Sequence, residues 1–165
     1  METEKAVKPR NTMNADIINL FLHSAIRLFR EMFELRITSC PAYVLENQLS
    51  HRWEISGILG ITGDYSGIIS FRLPSLLANK LLEKSEITIT DENERRETVY
   101  SMVGELTNII SSNVSDQLVQ GSISISPPAV IIGKNHRILW PKTTPVIAIP
   151  FSTQYGPFEV DVCMK

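Results

Sequence analysis

The segment from Asp91 to Leu118 constrains the fold more than any other part of this 165-residue chain. Its residues have helical periodicity, which predicts one long helix across the whole segment. One side of that helix carries the apolar residues Met102, Leu106, Ile109 and Ile110, and the other side is polar. We therefore expect the apolar side to pack on a sheet that the rest of the chain supplies.

The polar side of this helix carries a carboxylate and a carboxamide at a fixed spacing. Glu105 and Asn108 project from one face, about one turn apart. Ser101 and Ser112 continue the same stripe. A carboxylate can anchor a cation of a partner, and an amide has both the donor and the acceptor that orienting a water molecule requires. The alternative is ordinary solvated helix surface, where Glu and Asn at this spacing are common.

Gly104 lies one turn before Asn108, at the border of the polar face. A glycine inside a helix costs about 1 kcal/mol relative to alanine. We expect this glycine to be exposed and to let another backbone come close to Asn108. On an exposed face, leucine in its place is expected to raise the stability by several tenths of a kcal/mol.

The residues around this pair resemble the CheX branch of the CheC/CheX/FliY chemotaxis phosphatases. The resemblance lies in Gly104-Glu-Leu-Thr-Asn108-Ile-Ile-Ser-Ser-Asn113 and in Ile123-Ser-Ile-Ser-Pro-Pro-Ala-Val-Ile-Ile-Gly133, and it extends more weakly over residues 14–165. The family signature has Asp or Ser four residues before the Glu, then ExxN, then a downstream proline. Ser101, Glu105 and Asn108 fit the first three positions. The proline pair at 127–128 comes a little earlier than the usual spacing.

The resemblance implies a phosphatase that acts on the aspartyl phosphate of a CheY-type response regulator. Asn108 would orient the attacking water, and Glu105 would pair with the active-site lysine of the regulator. Contacts to this partner are expected from Ser101, Gly104 and Ser112. Mg²⁺ is expected on the regulator, and this chain is expected to bind no cofactor or metal. The first helix has no ExxN, so one site per chain is expected, as in CheX.

Two other kinds of function are compatible with the sequence. The domain could bind a receiver domain or a flagellar switch component without hydrolysing it. It could also bind a small ligand, although no Gly-rich loop or convergent polar cluster favours that function. Release of phosphate from a phosphorylated receiver separates the phosphatase from the binding module.

Two more helices and several strands are predicted outside the long helix. Asn14 is a suitable N-cap for a helix to about Glu34, and a shorter helix follows Pro74 through Ser85, with Leu76, Leu77, Ala78, Leu81 and Leu82 buried. After Gly121 the pattern alternates through Ile123 and Ile125. Strands are predicted at about 52–62, 67–73, 129–132, 137–140, 145–153 and 158–164. The last of these alternates between apolar residues and Glu159, Asp161 and Cys163, which predicts one dry and one wet face.

The predicted fold is α+β, with a largely antiparallel sheet packed with two long helices and one shorter helix. The order of elements repeats loosely after about 80 residues, as in the internal duplication of CheC. Residues 14–165 are predicted to form this single domain, and residues 1–13 a disordered N-terminal arm.

Composition excludes several classes of protein. A net charge of −2 argues against binding to nucleic acid or to an anionic membrane, and no apolar run approaches the ~20 residues that span a bilayer. The two cysteines and three histidines have no disulfide or metal-binding spacing. The charged start lacks a secretion signal, so we expect a cytoplasmic protein.

A homodimer joined through sheet edges is expected for two reasons. The resemblance implies it, because CheX-type proteins are β-mediated dimers. The chain also ends in strands that we expect to have exposed edges, one of them interrupted by Pro150. The segment 36–51 is the alternative partner for such an edge.

Overall fold

The computed structural model describes residues 13–46, 53–119 and 121–165, and within them three helices and eight strands. The helices are α1 (Ala15–Phe33), α2 (Ser75–Lys84) and α3 (Glu92–Gln117). The strands are β1 (Thr38–Ser39), β2 (Tyr43–Val44), β3 (Ile55–Gly63), β4 (Gly67–Leu73), β5 (Ile123–Ile125), β6 (Ala129–Ile132), β7 (Ile147–Thr153) and β8 (Gly156–Met164). The predicted N-terminal arm lies outside the described residues except for Met13.

The two long helices begin at side chains that cap them. Asn14 Oδ1 accepts a hydrogen bond from the Ile17 amide at 3.0 Å, and Asp91 Oδ1 accepts one from the Glu94 amide at 2.8 Å. These caps satisfy amides that have no carbonyl partner in the first turn. All three predicted helices are found, with ends close to those predicted. Within the described ranges, no helix is both long enough and apolar enough to cross a membrane.

All eight strands belong to one antiparallel sheet with the order β1-β7-β8-β4-β3-β5. In addition, β2 pairs with β7, and β6 pairs with β3. The hairpins β3–β4 and β7–β8 lie side by side because β4 pairs with β8 in the middle of the sheet. Each half of the chain supplies one long helix and one such hairpin. The predicted α+β fold with a loose internal duplication is therefore confirmed.

The helices share one apolar core with the sheet, and aromatic rings join α1 to it. Phe29 of α1 stacks on Phe158 of β8 with ring centroids 4.5 Å apart, and Phe71 of β4 meets both rings edge-on. From α2 the core receives the predicted side chains Leu77, Ala78, Leu81 and Leu82. Leu76, also predicted to be buried, is 64% exposed because it lies on the outer side of α2.

The sheet face opposite the helices is covered as well, which contradicts the predicted wet face of β8. Glu159, Asp161 and Cys163 are each at most 5% exposed. Tyr43 of β2 donates a hydrogen bond to Glu159 Oε2 at 2.8 Å. The chain between β6 and β7 crosses this face, where the Thr144 carbonyl accepts a hydrogen bond from the Cys163 thiol at 3.8 Å. Its residues 137–140 form no strand, contrary to the prediction, since they lie on the sheet instead of pairing within it.

The prediction that the last two strands have exposed edges is also wrong. β8 lies between β7 and β4, and β7 is flanked by β1 and β2, the alternative that the sequence left open. The Pro150 carbonyl accepts from the Cys40 amide at 2.9 Å. The proline nitrogen therefore points to the same side, away from β8, where its missing N–H breaks no bond of the hairpin. Among the described strands, the outer ones are β1 and β2 on one side and β5 and β6 on the other.

Candidate functional site

α3 presents the predicted polar stripe on the side that faces away from the core. Ser101 and Glu105 are exposed, and Asn108 and Ser112 are half-buried. The opposite side consists of Val103, Leu106, Ile110 and Val114, each at most 1% exposed. Met102 and Ile109, predicted on the apolar side, are half-buried at its border. The stripe is therefore rigid, because the core beneath it fixes the helix.

Glu105 and Asn108 are available to a partner. Neither side chain forms a hydrogen bond or an ion pair with any residue that the structure describes. The polar side chains on the sheet side behave differently. The Thr107 hydroxyl donates to the Val103 carbonyl at 2.7 Å, and the Ser111 hydroxyl donates to the Thr107 carbonyl at 2.8 Å. The polar side chains toward the sheet thus form hydrogen bonds within the helix, whereas the side chains of Glu105 and Asn108 form none within the described part of the chain.

Gly104 is buried, which contradicts the expectation that it lies exposed at the partner surface. A Cβ atom on Gly104 would lie 3.3 Å from Val130 Cγ2 and 3.7 Å from Pro128 Cγ. The close approach that the glycine permits is therefore made by this chain's own β6 and the proline before it. The physical reason is angular: Gly104 lies ~100° around the helix from Glu105, far enough to face β6 instead of solvent.

The sequence interpretation missed a second close contact of the site helix. A Cβ atom on Gly57 of β3 would overlap the hydroxyl oxygen of Thr107 and would lie 3.2 Å from the Val103 carbonyl oxygen. The backbone of β3 thus touches α3 at Thr107, the residue before Asn108. A glycine within a strand often marks such an approach of another backbone, so the signal was present in the sequence. It did not indicate which element approaches.

Two cavities in the described part of the chain lie away from Glu105 and Asn108. A cavity of about 320 Å³ lies at the far end of α3, lined by residues that include Tyr65, Gln117 and Leu118. A second one, of about 130 Å³, lies between α2 and the start of α3. Neither cavity is lined by Glu105 or Asn108. In the described part of the chain, no group of three or more His, Cys, Asp or Glu side chains could hold a metal ion.

A separate polar cluster lies on the opposite face of the sheet. The Arg72 Nε–H donates to Ser56 Oγ at 3.1 Å, and Arg72 Nη1 lies 3.5 Å from Asp161 Oδ2. Burial raises the pKa of Asp161 well above 3.8, the adjacent Glu159 carboxyl adds to the rise, and Arg72 opposes it. Asp161 is fully buried between β4 and β7, so this cluster cannot touch a partner. Its effect is on stability.

Comparison with protein families gives one match. A family model described as "Chemotaxis phosphatase CheX" matches residues 55–152, which is more than half of the chain. The matched range includes β3, α3 and β6, the elements that meet at Gly57, Gly104 and Thr107. No curated protein gives a significant match to the chain.

Several solved structures share the fold over nearly the whole chain. A CheC-like superfamily protein from Shewanella sp. PV-4 has a TM-score of 0.81 and 26% identity, covering 93% of this chain and 99% of its own. Chemotaxis protein CheX from Desulfovibrio desulfuricans has a TM-score of 0.80 and 28% identity, covering 91% and 99%. A chain of the CheX–CheY–BeF3–Mg²⁺ complex from Borrelia burgdorferi has a TM-score of 0.76 and 24% identity, covering 92% and 99%. At 24% identity, the likeness to this Borrelia burgdorferi chain shows the fold alone.

Proposed function

Because this chain belongs to the CheX family of chemotaxis phosphatases, we propose that it hydrolyses the aspartyl phosphate of a CheY-type response regulator. One observation carries the proposal: Glu105 and Asn108 lie one turn apart on the outer side of α3, without partners among the described residues. The choice of regulator is supported by the Borrelia burgdorferi complex, in which a CheX protein is bound to CheY with BeF3 and Mg²⁺.

Asn108 acts on the attacking water. In hydrolysis of an acyl phosphate, the water oxygen attacks phosphorus, and the bond from phosphorus to the aspartate oxygen breaks. The aspartate leaves as a carboxylate, and the protons of the water pass to inorganic phosphate and solvent. Such a reaction needs little covalent chemistry from the protein and depends on positioning. The carboxamide can accept a hydrogen bond from the water and donate one to a phosphoryl oxygen, which fixes the direction of attack.

Glu105 docks the helix on the receiver by pairing with the lysine of the receiver active site. The carboxylate is exposed one turn from Asn108, so this ion pair would hold the carboxamide near the phosphoryl group. Charge pairs between partners set the register of an interface. We expect Mg²⁺ to be held by the receiver, where it neutralises charge on the phosphoryl oxygens.

The remaining residues of the stripe contact the receiver around this pair. Ser101 lies one turn before Glu105, and Ser112 one turn after Asn108, on the same outer side of α3. Their hydroxyl groups can donate or accept hydrogen bonds at the rim of the contact. Gly104 is buried against β6, so we assign it no direct contact with the receiver.

We also propose that the protein is a homodimer joined through the edge that contains β5 and β6. This edge replaces the terminal strands as the expected interface, because the terminal strands lie inside the sheet. β6 pairs with β3 on one side only, and its Ile132 is 48% exposed. An unpaired strand edge of this kind can pair with the same edge of a second copy.

Phosphate release tests the proposed function. The protein is mixed with a phosphorylated CheY-type receiver and Mg²⁺, and inorganic phosphate is followed in excess of the receiver's own decay. The proposal predicts a rate that rises in proportion to the protein concentration. If the protein binds the receiver and phosphate appears only at the decay rate, the chain is a binding module instead of a phosphatase.

A further inference from the structure

The turn of α3 that carries the site rests on the sheet through two of its residues. Gly104 faces Val130 of β6, and Thr107 faces Gly57 of β3. Gly57 and Val130 are themselves paired across β3 and β6. This pair of sheet residues therefore contacts a single turn of α3, the turn that contains Gly104 and Thr107.

These two buried residues have the same spacing as the two residues of the site. Glu105 follows Gly104, and Asn108 follows Thr107. Because successive residues are ~100° apart around a helix, the direction of each site residue is tied to that of the buried residue before it. If α3 packed less deeply on the sheet at Gly104 and Thr107, or rotated about its axis there, Glu105 and Asn108 would move together.

We infer that Gly57, Thr107 and Gly104 form a seat that positions Asn108 for hydrolysis, an inference that rests on the proposed function. Gly57 lets the helix lie directly on the backbone of β3, because any larger residue would meet the Thr107 hydroxyl and the Val103 carbonyl. Gly104 lets Pro128 and Val130 close against the side of the helix. All three are positioning residues: each is buried and none can touch the receiver.

The seat affects the chemical step more than the docking step. The attraction between Glu105 and a lysine falls only inversely with distance, so a small displacement of the helix weakens it little. In-line attack by water is far more sensitive, since a misplacement of ~1 Å can lower a rate by ~10². Lifting α3 from the sheet should therefore lower kcat by roughly tenfold or more, with a smaller change in KM.

Gly57→Ala tests the seat, and Gly60→Ala on the same strand is the matched control. A Cβ on Gly60 would have only ordinary contacts, 3.6 Å from Ser126 Oγ, so this control should keep the parent's kcat. The double variant with Thr107→Ala removes the overlapped hydroxyl and should turn over faster than Gly57→Ala alone. It should also have a higher Tm than Gly57→Ala, a readout that needs no activity.

If Gly57→Ala does not fold, Gly104→Ala tests the seat instead. Its new Cβ would press on the end of the Val130 side chain, which can shift, and alanine is the better helix former. We expect a lower kcat that Val130→Ala partly restores. If the parent is active and Gly57→Ala or Gly104→Ala has the same kcat as the parent, the seat is overturned and the proposed function stands. An inactive parent would overturn the proposed function and, with it, the positioning role, even where the Tm coupling between Gly57 and Thr107 is found.

Discussion

Glu105 and Asn108 are chemically separable, because one contributes charge and the other contributes orientation. The carboxylate of Glu105 is expected to pair with a receiver lysine, so its loss acts first on affinity. Asn108 carries no charge and is expected to act on the water that attacks the phosphoryl group. Substitutions at the two positions should therefore change different measured quantities.

Replacing Glu105 with alanine should weaken binding of the receiver as well as turnover. Removing one member of a charge pair that is buried at an interface costs about 2–5 kcal/mol. The dissociation constant is measured by titration with a BeF3-activated receiver. Glu97→Ala, at another exposed position of α3, is the control and should bind almost like the parent. An unchanged dissociation constant for Glu105→Ala would show that this carboxylate is only surface charge.

The packing of α3 on β6 predicts the opposite stability effect at Gly104 from the one that the sequence indicated. Leucine is the better helix former by up to about 1 kcal/mol. Overpacking a tight contact costs about 1–3 kcal/mol, and Val130 and Pro128 leave no room for a leucine side chain. Gly104→Leu should therefore unfold at lower denaturant concentration than the parent. Glu97→Leu, at an exposed position of the same helix, should not. A more stable Gly104→Leu would contradict the observed packing.

Local patterns in the sequence were sufficient to predict the helices, most of the strands and the polar stripe of the site. Their signals lie within a few residues of one another: capping by Asn14, periodicity in α3, and alternation in the strands. The errors concern contacts between distant segments. β8 alternates as predicted, but its polar side is covered by β2 and by the chain before β7. Gly104 was placed correctly on the helix, and only the fold brings β6 against it.

The buried carboxyl group of Asp161 makes the stability of the whole domain depend on pH. Its pKa is raised in the folded protein by burial, then by Glu159, so the folded state holds the proton more tightly than the unfolded chain does. The resulting stabilisation is fully present below 3.8, the ordinary value, and is lost as the pH rises through the folded-state pKa. Asparagine resembles the protonated acid. Asp161→Asn should therefore be more stable than the parent at alkaline pH, with a gap that shrinks on acidification.

Denaturant unfolding at a series of pH values measures this gap. The exposed Asp116→Asn is the control and should follow the parent curve. If the stability curves of Asp161→Asn and the parent run parallel at all pH values, the carboxyl group of Asp161 titrates alike in the folded and unfolded states, and burial does not raise its pKa.

A dimer joined at β6 predicts a definite mass in solution. One chain has a mass of 18.6 kDa, so light scattering at micromolar concentration should give about twice that value. Ile132→Lys, placed on the exposed part of the β6 edge, should lower the measured mass because charged residues protect strand edges from pairing. Glu86→Lys, at an exposed position after α2, is the control and should remain dimeric. A parent mass near that of one chain rules the dimer out.

The rate of the chemical step in Asn108→Ala is the decisive measurement for the proposed phosphatase activity. The protein is held in excess over phosphorylated receiver with Mg²⁺, so that a single turnover reports hydrolysis in the complex. Loss of one oriented polar group in a preorganised site typically lowers the rate by about 10²–10³. We expect a decrease of this size, with receiver affinity and Tm close to those of the parent. A variant that binds the receiver and hydrolyses it at the parent's rate would contradict the role of Asn108.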